Sequence, residues 1–328
     1  MSMPHPDPYT LIIGSSNMDL NIYSQRFPKP GETVTGGVFR QFLGGKGANQ
    51  AVASARSGSN TIFIGKIGMD TFGNDMISQL GKEGVNIEYI IQDPQESSGV
   101  AFILIDEKGE NMISVAPGAN FKLTPEEVRD RSEIIRNAKC LVVQMEIPIE
   151  TIEEIYKIAS QGNVVKILNP APLKPISPSI LSKIDIIIPN EGELIRLHSL
   201  LKLKNLEGND NEKIIQASKQ ISHLGIKTII TTLGKKGCVI YDAITDSITK
   251  VPAFEIPAID TVGAGDCFNG VLASKICQGE ELLTSVIYAT AAASIAITRQ
   301  GAQASMPYRS EIEDRFNEYN ANYTIEHQ

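Results

Sequence analysis

The sequence predicts an α/β protein: a central, mostly parallel sheet flanked by helices, with a small β-sheet lid. Three observations carry this. Short apolar runs recur along the chain, amphipathic stretches of helix length lie between many of them, and two segments break the alternation. Strand-like runs alternating with helices are the pattern of β-α-β units, whose parallel sheet is buried on both faces.

The runs are 11–14 (LIIG), 61–65 (TIFIG), 140–145 (CLVVQM), 164–168 (VVKIL), 185–189 (DIIIP) and 227–232 (KTIITT). They are short and rich in branched residues, as buried strands are. Helical spacing of apolar residues predicts helices over 124–137, 149–161 and 211–224. The breaking segments are about 19–43, with Pro28, Pro30 and Gly31 between strand-like halves, and 98–117, a hairpin turning near Lys108-Gly109. Neither reads as a crossover helix, so together they predict the lid, inserted in one domain over 1–328. The polar stretch from about 310 to 328 predicts a last helix with a frayed tail.

Composition sets limits. An apolar fraction of 42% supports a substantial core, and a net charge of −8 argues against a general nucleic-acid surface. Four cysteines have neither CxxC nor zinc spacing and read as buried free thiols. The opening MSMPHPDPYT has no basic or apolar signal region, and no apolar run approaches the length of a membrane span. A cytoplasmic protein is expected, with no membrane partner.

Ligands of open α/β sheets bind beyond the carboxyl ends of the strands. Polar residues follow the runs there: Asn17 and Asp19, Glu146, Asn169, Asn190, and Thr232 with Gly234. Each alone could be a turn or cap residue; together they suggest one polar rim.

Two glycine-rich stretches add chemistry. In DTVGAGDCFNG, residues 260–270, Gly263, Ala264, Gly265 and Asp266 open a helix. A helix start carries unpaired amides and positive partial charge, and glycines let an anion come close. Asp266 is either an N-cap or a base placed to take a proton from a hydroxyl while the amides neutralise a transferring phosphoryl group. In FLGGKGANQAVASARSG, residues 42–58, Gly44, Gly45 and Gly47 precede a small-residue helix. This is no Walker A loop, because Gly47 replaces Ser/Thr. It is no dinucleotide fingerprint either, because Gln50 stands where the third glycine belongs.

These two stretches resemble the signatures of the PfkB-type (ribokinase-like) carbohydrate kinases. With them come SSNMDL, FPKPGETVTG, MEIP, LNPAP, PNEGE, TTLGKKGC and AITRQGAQASMP, in order over nearly the whole chain. The resemblance implies ATP-dependent phosphorylation of a sugar, D-ribose at its primary 5-hydroxyl, with Mg²⁺ and a K⁺ activator. It implies that Asn17, Asp19, Gly45, Lys46, Gly47, Asn49 and Glu146 bind the sugar. Asp266 would be the general base, and the Gly263, Ala264, Gly265 and Asp266 amides the anion hole. Asn190 and Glu193 would lie near the phosphates and Mg²⁺. Thr232, Leu233, Gly234, Lys235, Lys236 and Gly237 would cover the nucleotide, with Thr290 where related kinases carry His or Asn beside the adenine. Asp260, Val262, Ala296, Arg299, Gly301 and Ser305 match positions that hold the monovalent cation, and the lid matches a homodimer interface.

Plainer roles stand beside these. Lys46 could be a solvated loop lysine, Glu193 a carboxylate favoured by a helix dipole, and Lys235 and Lys236 surface charges. Competing functions are a related kinase for fructose, a nucleoside or a keto-deoxy sugar acid, a non-catalytic sugar binder, and a dinucleotide-dependent oxidoreductase. The hydroxyl-reading set favours an uncharged polyol, and a pure binder has no need of Asp266.

Overall fold

A computed structural model describes residues 7–323 and 325–327. In chain order the strands are β1 (Thr10–Ile13), β2 (Asn17–Tyr23), β3 (Val38–Gly44), β4 (Thr61–Ile64), β5 (Lys66–Gly68), β6 (Ile91–Asp93), β7 (Gly99–Ile105), β8 (Asn111–Ala116), β9 (Cys140–Gln144), β10 (Val165–Asn169), β11 (Ile186–Ile187), β12 (Thr228–Thr232), β13 (Cys238–Asp242), β14 (Ser247–Val251) and β15 (Glu326–His327). The helices are α1 (Lys46–Arg56), α2 (Thr71–Lys82), α3 (Pro125–Arg129), α4 (Ser132–Asn137), α5 (Ile149–Ala159), α6 (Pro178–Leu181), α7 (Glu191–Leu200), α8 (Asp210–Ser222), α9 (Ala264–Gln278), α10 (Leu282–Ala296) and α11 (Arg309–Asn322).

The main sheet runs β15-β14-β13-β12-β11-β10-β9-β1-β4. From β4 to β12 every pairing is parallel, so these strands end on one edge of the sheet. Successive side chains of a strand point to opposite faces. Accordingly Leu11 and Ile13 join a core with Ile152, Leu194 and Ile221 of α5, α7 and α8. Ile12, between them, joins a second core with Val52, Val271 and Ala292 of α1, α9 and α10. The unbroken Ile/Val/Leu runs follow from this burial on both faces.

Some elements differ from the sequence expectation. The helix expected over 124–137 is two, α3 and α4, separated at Arg131, whose guanidinium donates to the carbonyls of Tyr89 and Glu127 (3.1 and 2.9 Å). An antiparallel hairpin, β13–β14, extends the parallel strands beyond β12. The end of the chain holds α11 and then β15, which pairs with β14 at Thr249 and Lys250. A strand edge exposes unpaired backbone groups, and β15 covers this one. Residues 1–6, read above for a leader, lie outside the described residues.

The lid segments form a separate sheet of order β3-β2-β7-β8. β2 pairs antiparallel with β3 and parallel with β7, and β7 and β8 form the expected hairpin. At its turn Asp106 Oδ1 accepts from the Lys108 and Glu110 amides, and Gly109 takes a positive φ of 80°. Ile22, Val38, Phe39, Phe102, Met112, Ile113 and Val115 leave apolar surface exposed on these strands. Among the described residues no helix is long and apolar enough to cross a membrane.

Candidate active site

The site is built at the carboxyl ends of the parallel strands, where α1 and α9 begin. Helix α1 is drawn tightly against the link between β1 and β2. A Cβ on Gly45 would lie 2.7 Å from the Asn17 nitrogen, and one on Gly47 2.7 Å from the Gly14 carbonyl carbon. Gly45 also holds a φ of +86°, which side chains resist. Glu146, two residues beyond β9, accepts from the Lys46 amide (3.1 Å) and the Ser15 hydroxyl (2.5 Å). This carboxylate therefore joins the end of β1, the start of α1 and the end of β9.

Asn17, at the start of β2, accepts from Asn120 Nδ2 (2.8 Å). Asn120 also donates to the Ser16 carbonyl (3.0 Å) and accepts from the Ser16 amide (2.9 Å). Asn17 is thus oriented by the segment that follows the other half of the lid.

Helix α9 opens differently. Gly263 is its N-cap, in the left-handed region at φ 77°, and the cap makes no side-chain bond. Asp266 lies one turn in and does not cap. The Gly265 and Asp266 amides belong to the first turn and have no carbonyl four residues back to bond within the helix. A Cβ on Gly265 would meet no atom within 4 Å. Behind this open space the buried Asp266 carboxylate receives two amide donors: Asn49 Nδ2 to Oδ2 at 2.8 Å and Gln50 Nε2 to Oδ1 at 3.0 Å. Asn49 Oδ1 is buried and has no partner.

Charge is concentrated here. Burial pushes the Asp19 carboxyl up to about 7, reinforced by the negative charges of Glu146 and Asp266 and opposed by Lys46. The Lys46 ammonium is held above its ordinary value, first by Asp266 and then, against burial, by Glu146, Glu193 and Asp19. Lys46 is therefore no solvated loop lysine but the cation of a carboxylate cluster.

The other predicted residues lie along the same edge. Asn190 and Glu193 form a reciprocal cap at the start of α7: Asn190 Oδ1 accepts from the Glu193 amide (2.8 Å), and Glu193 Oε2 from the Asn190 amide (2.9 Å). Asn190 bridges to Thr232 at the end of β12. From there Leu233 leads into a 3₁₀ turn over Gly234–Lys236, closed by the Leu233 amide on the Gly237 carbonyl (2.7 Å). Lys235 and Lys236 are exposed on that turn. Thr290 is buried on α10 and donates its hydroxyl to the Val286 carbonyl of its own helix (2.9 Å).

Of the predicted cation positions, Asp260, Val262 and Gly301 are joined directly. Asp260 Oδ1 accepts from the Val262 amide and Oδ2 from the Gly301 amide, both at 3.0 Å. The end of α10 joins them, since the Ile297 carbonyl, next to Ala296, accepts from the Ile259 and Asp260 amides. The Arg299 side chain turns away to pair with Glu311, leaving only its backbone for this role. The Ser305 hydroxyl donates to the Ala302 carbonyl (2.8 Å).

Four residues of this region carry no sequence-based role: Ser15, Gln50, Asn120 and Gln144. Gln50 lay inside a stretch already singled out, but only as a missing glycine. The others have no local pattern; their partners lie tens to hundreds of residues away.

A parallel α/β sheet whose carboxyl edge sets a buried carboxylate behind a bare helix start defines a class: proteins that hold a polar ligand beside an anion-accepting helix. The chain belongs to the pfkB family of carbohydrate kinases, whose family model matches residues 7–309. A ribokinase of Haemophilus influenzae is 38% identical over 300 residues, covering 92% of this chain and 95% of the relative. The structure of a Thermotoga maritima ribokinase superposes with a TM-score of 0.87 at 34% identity, covering 94% of this chain and 99% of that one. An Arabidopsis thaliana ribokinase solved with ribose and ATP gives 0.85 at 31% identity, covering 97% and 100%.

Proposed function

We propose that the protein phosphorylates D-ribose at its 5-hydroxyl, using ATP. The observation that carries this reading is Asp266, buried behind the open amides of α9 and hydrogen-bonded to Asn49. Asn17, Asp19, Lys46, Asn49 and Glu146 hold the sugar hydroxyls, with the Gly45 and Gly47 backbone against them. Asp266 takes the proton of the 5-hydroxyl as its oxygen attacks phosphorus. The oxygen–phosphorus bond to ADP breaks, and the α9 amides stabilise the charge that spreads over the transferring group. The likeness to ribokinases, one solved with ribose and ATP, supports the choice of sugar and nucleotide.

ATP lies along the 232–237 strip and reaches toward Thr290. The free space at Gly265 suits a phosphoryl group that approaches backbone amides. Glu193, of which only one oxygen is engaged in the cap, would hold Mg²⁺ together with nucleotide phosphates. That arrangement suits an ion usually bound by one or two carboxylates plus phosphates, and it supplies charge neutralisation. Oxygens of Asp260, Val262, Ala296, Arg299, Gly301 and Ser305, an all-oxygen set fitting a hard cation, would hold K⁺, and its charge would stiffen the turn into α9. The apolar lid surface supports a homodimer through that sheet, and four buried free thiols suit a reducing cytoplasm.

The test is ADP release over ribose, deoxyribose, fructose and nucleosides, repeated with Asp266→Asn. Ribose is expected to give the highest kcat/KM. The variant is expected to lose about 10²–10⁴-fold in kcat, the usual general-base contribution, while still binding ribose by calorimetry. Turnover of another sugar in preference, or near-normal turnover by the variant, defeats the proposal.

A further inference from the structure

Asp266 is embedded in a chain of buried side-chain amides. Gln144 and Asn169 are register partners on the neighbouring parallel strands β9 and β10. Gln50 of α1 reaches both: its Oε1 accepts from Gln144 Nε2 (2.7 Å), and its Nε2 donates to Asn169 Oδ1 (3.2 Å) and to Asp266 Oδ1 (3.0 Å). Asn169 passes its own Nδ2 to the Ile188 carbonyl (3.0 Å). Gln50 and Gln144 are completely buried.

The polarity of this chain is fixed by chemistry. An ionised carboxylate only accepts, so Gln50 must turn its NH₂ to Asp266 and its oxygen to Gln144. Gln144 must then present its NH₂, which leaves its oxygen toward Gly14. That oxygen lies 2.0 Å from where a Cβ on Gly14 would sit. Both hydrogens and the oxygen of the Gln50 amide are therefore engaged by protein. Asn49 is engaged only on one side, since its Oδ1 has no partner. The two carboxylate oxygens of Asp266 thus differ. Oδ1 is bound by a group that cannot turn without breaking three hydrogen bonds, and Oδ2 by one with capacity to spare.

We propose that Gln50, locked by Gln144, is a positioning residue that clamps Asp266 Oδ1 so that Oδ2 is the atom that takes the proton from the sugar hydroxyl. The proposal rests on the kinase reading above. Asn49 yields Oδ2 to the hydroxyl and turns its unpartnered oxygen to the sugar. Gln50 touches no reacting atom; it sets the direction in which the base is presented. A misplacement of about 1 Å at such a group can cost about 10²-fold in rate.

The experiment is a double-mutant cycle on the full-length protein with ribose and ATP. Methionine replaces each glutamine, matching its unbranched shape while removing the donor. Gln50→Met is expected to lower kcat by about 10–100-fold with the ribose KM within about threefold of wild type. Gln144→Met is expected to lower kcat by a smaller factor with the same split. Because both act through one chain, the double variant should match Gln50→Met alone within about twofold. The proposal is overturned if Gln50→Met keeps kcat, if the loss falls on ribose KM instead, or if the two effects multiply. Thermal melting checks folding. If Gln50→Met does not fold, Gln144→Met decides: lowered kcat at unchanged KM supports the clamp, and unchanged kcat refutes it. Wild-type turnover separates the two readings. No ribose turnover by wild type removes the kinase reading and the clamp with it, whereas an active wild type with an indifferent cycle removes the clamp alone.

Discussion

The starts of α1 and α9 look alike in sequence, each with glycines beside one charged residue, yet Gly265 at α9 serves a purpose opposite to that of the α1 glycines. At α1 they are crowded. A Cβ on Gly44, Gly45 or Gly47 would fall 2.2–2.7 Å from the Asp19 carboxylate or from the backbone of Asn17 and Gly14. At α9 Gly265 faces space, with nothing within 4 Å of a Cβ. The first set allows two parts of the protein to approach each other. The second allows something else to approach the protein. The charges are linked across the two starts: Lys46 at α1 balances the carboxylates, Asp266 of α9 first among them.

Methyl groups placed at the two starts separate these purposes most sharply. Gly265→Ala is expected to leave the melting temperature unchanged or raised, since alanine favours a helix over glycine. Its kcat/KM for ATP should fall by about 10–100-fold, because the methyl holds a phosphoryl group off the amides. Gly47→Ala should instead act on stability, costing about 1–3 kcal/mol by overpacking against Gly14. Chemical denaturation and steady-state kinetics on both variants check the pair. If Gly265→Ala proves destabilised with normal ATP kinetics, the contrast between packing glycines and ligand glycines is broken.

Asp19 sharpens the comparison from the crowded side. It lies on β2, opposite Phe42 in register, with its carboxylate against Gly44. Its carboxyl is pushed up from an ordinary 3.8 to about 7. Between those values the folded protein keeps a proton that the unfolded chain has released. The folded state therefore binds more protons, and stability falls as pH rises from about 4 through 7. Asp19→Asn should remove that dependence, so its melting temperature gains on wild type from pH 5 to pH 8. The same substitution should weaken ribose binding by about tenfold, since a hydrogen bond to a charged acceptor is lost. Scanning calorimetry across pH and ribose titration measure both. A variant less stable than wild type at pH 8, with ribose affinity kept, contradicts the role given to this carboxylate.

These contrasts also mark what could be read in advance. The parallel strands, the lid segments and the two glycine stretches are local patterns: periodicity, punctuation, and glycines at a helix start. That Asp19 and Glu146 stand on one rim came from strand-end logic, because parallel strands finish on one edge, whereas Asp266 came from the glycine turn and Lys46 from the family resemblance. What sequence did not yield is contact between distant side chains. Gln50 and Asp266 are 216 residues apart, and Asn120 and Asn17 are 103 apart. Nothing in the composition of either stretch marks an amide as a partner. The split between α3 and α4 was hidden for a related reason. Apolar spacing continues through both, while the break is set by the Arg131 guanidinium satisfying carbonyls of α3 and of the Tyr89 loop. Likewise β15 has no strand signal of its own; the open edge of β14 supplies it.

The smallest expected effect tests how each helix start is held. At α1 one carboxylate, Glu146, binds the first amide directly. At α9 the corresponding carboxylate stands outside the helix. Asp260 accepts from Val262, just before the glycine turn, and from Gly301, across the loop that follows α10. The Val262 bond is local to the turn, and the ties across to that loop are the Gly301 amide on Asp260 Oδ2 and the Ile259 and Asp260 amides on the Ile297 carbonyl. A monovalent cation among the oxygens of these segments would complete the tie and fix the direction of the α9 amides, which is preorganisation of the anion hole. On that reading K⁺ raises kcat several-fold over Na⁺ or Li⁺ at matched ionic strength, and Asp260→Ala lowers both the activity and its response to K⁺. If Asp260 is only a turn cap, its loss should lower activity equally in sodium and in potassium. Ribose affinity is expected to stay unchanged in either salt, because on that reading the sugar would lie against α1 and the cation would act on α9. Equal rates in the two salts would leave these hydrogen bonds as the whole of the tie, and the two helix starts would then be held in the same way after all.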